Sequence, residues 1–138
     1  MYFYVEPEVS GGFGDNTVVD TSTHPPLVSK LHYQFDGWLG DDLLETFPCY
    51  VVSALLAKEI ELAGLTGYTL GDLETSKSEQ FKELYSGKEL PTFYWLKIDG
   101  VAGKDDFGIA EDYRLTVSEK ALKTLKKGKI DEAEIENF

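Results

Sequence analysis

Arginine is almost missing from this sequence: of 13 basic residues only Arg114 is one. Arginine forks are the usual readers of phosphate and base edges, so a nucleic-acid surface is not expected. Cysteine is equally scarce. Cys49 stands alone, which excludes an intramolecular disulfide and any multi-cysteine metal site, and its absence of partners suits a reducing compartment. The apolar neighbours in Phe47-Pro48-Cys49-Tyr50-Val51-Val52 mark it as a buried, inert thiol.

The two histidines, His24 and His32, have no second His or Cys at metal-ligand spacing. No HExxH, CxxC, GxSxG or Walker loop occurs. Gly11-Gly12-Phe13-Gly14 lacks the Lys-Ser/Thr and the helix start of a phosphate loop, so it reads as a plain turn. His32 falls on the polar side of an alternating segment and is expected to be solvated. Apolar runs fall short of the ~20 residues that span a bilayer. The opening Met1–Glu6 has no basic or long apolar region, and Glu134–Phe138 is no lipidation box. A cytoplasmic protein without metal or cofactor, and without membrane or nucleic-acid partners, is the expectation.

What is abundant is negative charge. Thirteen basic residues against 25 acidic ones give −12. Residues 1–70 hold ten acids and only Lys30 and Lys58, so they alone carry −8. A field of that sign steers cationic partners. At 138 residues, 42% hydrophobic, the chain fits a single domain spanning 1–138 with one hydrophobic core.

Strand composition marks Tyr2–Val5, Thr17–Asp20, Tyr50–Val52, Tyr68–Leu70, Thr92–Ile98, Arg114–Val117 and Ala133–Glu136. Val28–Phe35 alternates, with Val28 out of phase. Ser53 caps a helix over Ala54–Ala63 closed by Gly64, and Ser118 caps one over Glu119–Lys127 closed by Gly128. Ser76 with Glu79 reads as a capping box for a short helix through Phe81, Leu84 and Tyr85. The residues from Asp99 to Asp112 read as a connection. The fold class is α+β, a mixed or antiparallel sheet with two or three short helices and two similar strand–Ser-cap–helix–strand units.

Acidic pairs with apolar neighbours suggest a binding surface. Trp38 and Leu39 precede Asp41 and Asp42, and Asp105-Asp106-Phe107 repeats the theme. Those seven residues are the candidate partner contacts, aromatic anchors beside steering carboxylates. Trp38 has a competing reading as a lid on the core. No carboxylate pair stands out for catalysis, although a small hydrolase or lyase using Asp or Glu remains an alternative, as does an accessory subunit of a larger bacterial assembly.

With the Val51-Val52-Ser53 and Thr116-Val117-Ser118 units in view, the chain resembles small acidic immunity proteins of bacterial polymorphic and contact-dependent toxin systems. The resemblance rests on residues 49–64 and 113–128. It implies a non-enzymatic, cytosolic protein that blocks a toxin's active site; the negative charge of the chain points to a basic toxin domain, such as a nuclease. The resemblance assigns no individual residues.

Overall fold

Cys49–Ser53 is buried at all five positions, and the rest of the chain is arranged around its two faces. The computed structural model describes residues 1–138. In chain order the first half forms β1 (Tyr2–Glu6), β2 (Gly11–Phe13), β3 (Val18–Asp20), β4 (Leu27–Lys30), β5 (His32–Phe35), β6 (Leu43–Thr46), β7 (Cys49–Ser53) and α1 (Ala54–Leu62). The second half forms β8 (Tyr68–Gly71), β9 (Glu74–Lys77), α2 (Glu79–Leu84), β10 (Phe93–Ile98), β11 (Phe107–Ile109), β12 (Leu115–Ser118), α3 (Glu119–Leu125) and β13 (Glu134–Asn137). The fold is α+β.

Two four-stranded antiparallel sheets have the orders β6-β7-β10-β8 and β11-β12-β1-β13. A three-stranded sheet, β2-β5-β9, pairs β5 with β9 in parallel, and β3 and β4 form a separate ribbon. In place of the single core expected, the central strands β7 and β10 divide their side chains between two, because successive residues point to opposite faces. Tyr50, Val52 and Leu96 join Leu56, Ile60, Leu122 and Leu125 in the first core, beneath α1 and α3. Cys49, Val51, Phe93 and Trp95 join Tyr33, Phe35 and Phe81 in the second, beneath β5 and α2. Burial raises the Cys49 thiol to about 12, as its apolar neighbours led one to expect.

The two capped units are alike in topology as well as layout. Ser53 Oγ accepts from Leu56 N–H and Ser118 Oγ from Ala121 N–H, so both serines are N-caps. In each sheet the strand entering the unit and the strand leaving it flank one antiparallel strand, β10 in the first and β1 in the second. A further antiparallel strand, β6 or β11, lies outside the entering strand. Gly64 follows α1 with φ +65°, the left-handed turn that favours glycine. Gly128 follows α3 for a different reason: a side chain there would press on Asp42 and Leu56.

Three local expectations also need correction. The cap of α2 is Ser78, whose Oγ accepts from Phe81 N–H. Ser76 instead lies in β9 and meets His32 Nε2 at 2.7 Å. His32 is not solvated but 6% exposed. It does face away from the second core, yet Gly14–Thr17 covers that side: Asn16 N–H donates to Nδ1 and Thr17 Oγ1 to the His32 carbonyl. Since Nδ1 accepts, Nε2 carries the proton and donates to Ser76. Finally, Val28–Phe35 is two strands, not one. Val28 is out of phase because it belongs to β4, which pairs with β3 and ends at Lys30, whereas β5, paired with β2 and β9, begins at His32.

Candidate partner-binding surface

The loop between β5 and β6 presents Leu39 to solvent while its backbone is tied from three distant parts of the chain. Leu39 N–H donates to Glu8 Oε2 at 2.9 Å. Lys88 Nζ donates to the Trp38 carbonyl at 2.9 Å, and Lys129 Nζ to the Leu39 carbonyl at 3.2 Å. Trp38 Nε1–H donates to the Asp41 carbonyl at 2.8 Å. Leu39 itself is 58% exposed, with Val9 at 68% and Leu84 at 66% beside the same hollow. The hollow has a volume of about 380 Å³, and its only charged residues are Glu8 and Asp36.

The expected contact residues separate into different roles. Trp38 is half-buried: its ring meets Phe93 edge-on at 5.8 Å, and the Lys88 ammonium lies 5.2 Å from it. It is packed on the second core, so it braces the loop, and Leu39 is the side chain offered outward. Asp41 is 0% exposed, which corrects its placement on the surface. Its carboxylate is consumed by Asp131 N–H at 3.1 Å and Glu132 N–H at 2.8 Å. Asp42, half-buried, accepts from Lys129 N–H at 2.6 Å.

Asp105 and Asp106 are also bound to their own chain. Asp105 accepts from Val101 N–H at 2.7 Å. Asp106 accepts from Ser118 Oγ at 2.6 Å and Thr66 N–H at 3.0 Å. Burial opposes its ionisation, but these hydrogen bonds outweigh it and hold the carboxyl below its usual range. Phe107 is fully buried against Tyr68, a second correction. The structure therefore does not bring Asp105–Phe107 to the Trp38 surface; that segment secures the start of α3.

Glu8 is the residue that sequence reasoning missed. It is buried, bonded to Ser10 Oγ, Leu39 N–H and Asp41 N–H, and desolvation raises its carboxyl above the ordinary value. Nothing in Glu6-Pro7-Glu8 signals this, because its loop partner is 31 residues away. Arg114, the lone arginine, is spoken for by Asp112 at 2.8 Å, Glu136 at 3.5 Å and Glu6 at 3.9 Å. No group of three or more His, Cys, Asp or Glu side chains is placed to hold a metal. No helix is long and apolar enough to cross a membrane.

One carboxyl has a pKa suited to proton transfer. Glu45, half-buried on β6, is pushed up to about 7, first by desolvation and then by Glu6. It lines none of the cavities, so no substrate space adjoins it. Its effect is on stability. Below the unfolded value of 4.5 Glu45 is protonated in both states and costs nothing. As pH rises from there through about 7, folding must retain a proton the unfolded chain gives up, and stability falls. Glu45→Gln is expected to match wild type at pH 4 and to gain about 1–2 kcal/mol above pH 8, after discounting for partial exposure. Denaturant titrations at the two pH values measure this; an equal effect at both would contradict it.

No protein-family model, curated protein or solved structure matches this chain.

Proposed function

We propose that this chain is a non-enzymatic protein-binding domain, an immunity protein that binds and neutralises a cognate bacterial toxin in the cytoplasm. The observation that carries the reading is Leu39, an exposed apolar side chain on a loop already fixed by Glu8, Lys88 and Lys129. An apolar group that is ordered before its partner arrives loses little further entropy on binding, so most of its burial appears as affinity. The chain as a whole carries −12, which suits a toxin domain whose substrate cleft is basic. The likeness of residues 49–64 and 113–128 to immunity proteins points the same way.

The reading requires a toxin gene beside this chain's own, and the test is co-expression of the two. Growth arrest by the toxin is relieved, and the two proteins purify as a complex. Leu39→Asp is expected to weaken that complex by at least tenfold while leaving the melting temperature of the free chain within about 2 °C, since exposed substitutions change stability little. Absence of a complex sinks the functional reading. A complex indifferent to Leu39→Asp and to Val9→Asp keeps the function and removes this surface from it.

A further inference from the structure

Most sheet edges in this fold are closed or protected. The bridges Glu8 to Leu44 and Val101 to Ile109 cover β6 and β11. Strand β13 carries Glu134 and Glu136, β9 is bounded by Glu74 and Lys77, the β3–β4 ribbon bears Asp20 and Lys30, and β2 has three residues. Charge and shortness are the ordinary defences of an edge. Strand β8, Tyr68-Thr69-Leu70-Gly71, has no charge, no proline and no bulge, and pairs with β10 alone.

Its free polar groups can be assigned. Tyr68 stands opposite Ile98, and Asp99 N–H donates to the Gly67 carbonyl at 2.9 Å. Antiparallel partners alternate between bonded and non-bonded pairs. Gly67, Thr69 and Gly71 therefore bond across to β10, and Tyr68 and Leu70 turn their N–H and C=O groups outward. Beside this edge α1 leaves a groove of about 430 Å³, lined by Ala57, Lys58 and Glu61 on one wall and by Leu70, Asp72 and Tyr94 on the other. An unpaired edge next to a helix wall is the arrangement that takes an extended peptide: main-chain bonds hold it, and the groove receives alternate side chains.

We infer that β8 and α1 form a docking groove for an extended, basic segment of the partner protein, which adds to the sheet as a strand beside β8. This rests on the reading of the chain as a protein-binding domain. The occupant follows from two features. Outward N–H and C=O groups at Tyr68 and Leu70 are matched by another extended backbone, which spaces its own at about 6.8 Å. The groove's charges are Glu61, Asp72 and Lys58, and a second copy would bring −12 against −12, so a basic segment fits and self-pairing does not.

The probe is a capped hexapeptide alternating valine and lysine, titrated into the isotopically labelled full chain, with a valine–glutamate peptide as control. The lysine peptide is expected to shift the Tyr68 and Leu70 amides and slow their hydrogen exchange at least tenfold, leaving Thr69, already bonded to β10, little changed. Leu70→Pro deletes one outward donor without touching the β10 ladder, and should weaken the peptide at least tenfold relative to Leu70→Ala. Unshifted Tyr68 and Leu70 amides, equal binding of both peptides, or β8 protection that grows with protein concentration in the absence of peptide overturns the inference; these readouts on the wild-type chain do not depend on the proline variant folding. A toxin complex that forms with unchanged affinity on Leu70→Pro removes strand addition and leaves the binding function standing, whereas peptide docking at β8 without any toxin complex does the reverse.

Discussion

Replacing Phe35 by alanine is expected to lower stability by about 3–5 kcal/mol, the cost of losing a large ring from a site that cannot collapse. Phe35 is fully buried. Its ring lies 4.8 Å from Tyr33, 5.3 Å from Phe93 and 6.5 Å from Phe81, which come from β5, β10 and α2. Those three elements are fixed by their own ladders and by the Ser78 cap, so none can move in to fill the space. Domains are stable by only about 5–15 kcal/mol, so this single change removes a large share. Urea titration measures it as a lower midpoint with an unchanged slope. A loss below about 1 kcal/mol would mean that the second core is loosely packed and does not hold β5 to the central sheet.

Phe35 was visible in the sequence because Leu31, Tyr33 and Phe35 alternate with polar residues, and one face of β5 is core. The strands that were not visible lack that signature for identifiable reasons. In β6, Leu43 enters the first core and Leu44 the second, so both faces are apolar and the period of two disappears. In β2, Gly11 and Gly12 have no side chains to show a face; the strand exists because β5 offers it a ladder. In β9 the residues are polar, and the pairing with β5 is parallel and 42 positions away at His32 and Glu74. Strand β11 lies in a glycine- and acid-rich stretch whose composition resembles a loop. The caps, by contrast, are local: Ser53, Ser78 and Ser118 each bond a backbone N–H three residues on. Such short-range chemistry can be read from a window, although Ser76 and Ser78 stand too close together for the window to choose.

The candidate surface was half legible for the same reason. Trp38 and Leu39 draw notice as apolar residues between glycines. The groups that fix them do not, since Lys88 is 50 residues from Trp38 and Lys129 is 90 from Leu39. Charge counting was misled most at Asp41, because an acid in a loop and an acid that organises the loop have the same letter. The difference is burial, which only the packed chain reveals.

Asp41→Ala is accordingly expected to destabilise the free chain by about 2–4 kcal/mol, with no partner present. Its two carboxylate oxygens accept from Asp131 and Glu132 N–H, and its own N–H donates to Glu8. Removing the carboxylate leaves two backbone donors short of a partner, at about 1–3 kcal/mol each where they are shielded from water. Desolvation raises the Asp41 carboxyl above its ordinary value, and the neighbouring Asp131 and Glu132 add to the rise. The charge is thus an expense that the hydrogen bonds offset, the opposite of a solvated carboxylate kept for steering. Loss of the side chain should also loosen residues 131–132, next to Lys129 whose ammonium bonds the Leu39 carbonyl, so that Leu39 is held less firmly. Binding should then weaken through faster dissociation of the folded fraction, with the association rate and its salt dependence unchanged. Thermal melts of the free protein and stopped-flow association with the toxin decide the matter. An Asp41→Ala protein that melts like wild type but associates more slowly at low salt would return Asp41 to the surface and overturn the account of the loop given by Glu8, Lys88 and Lys129.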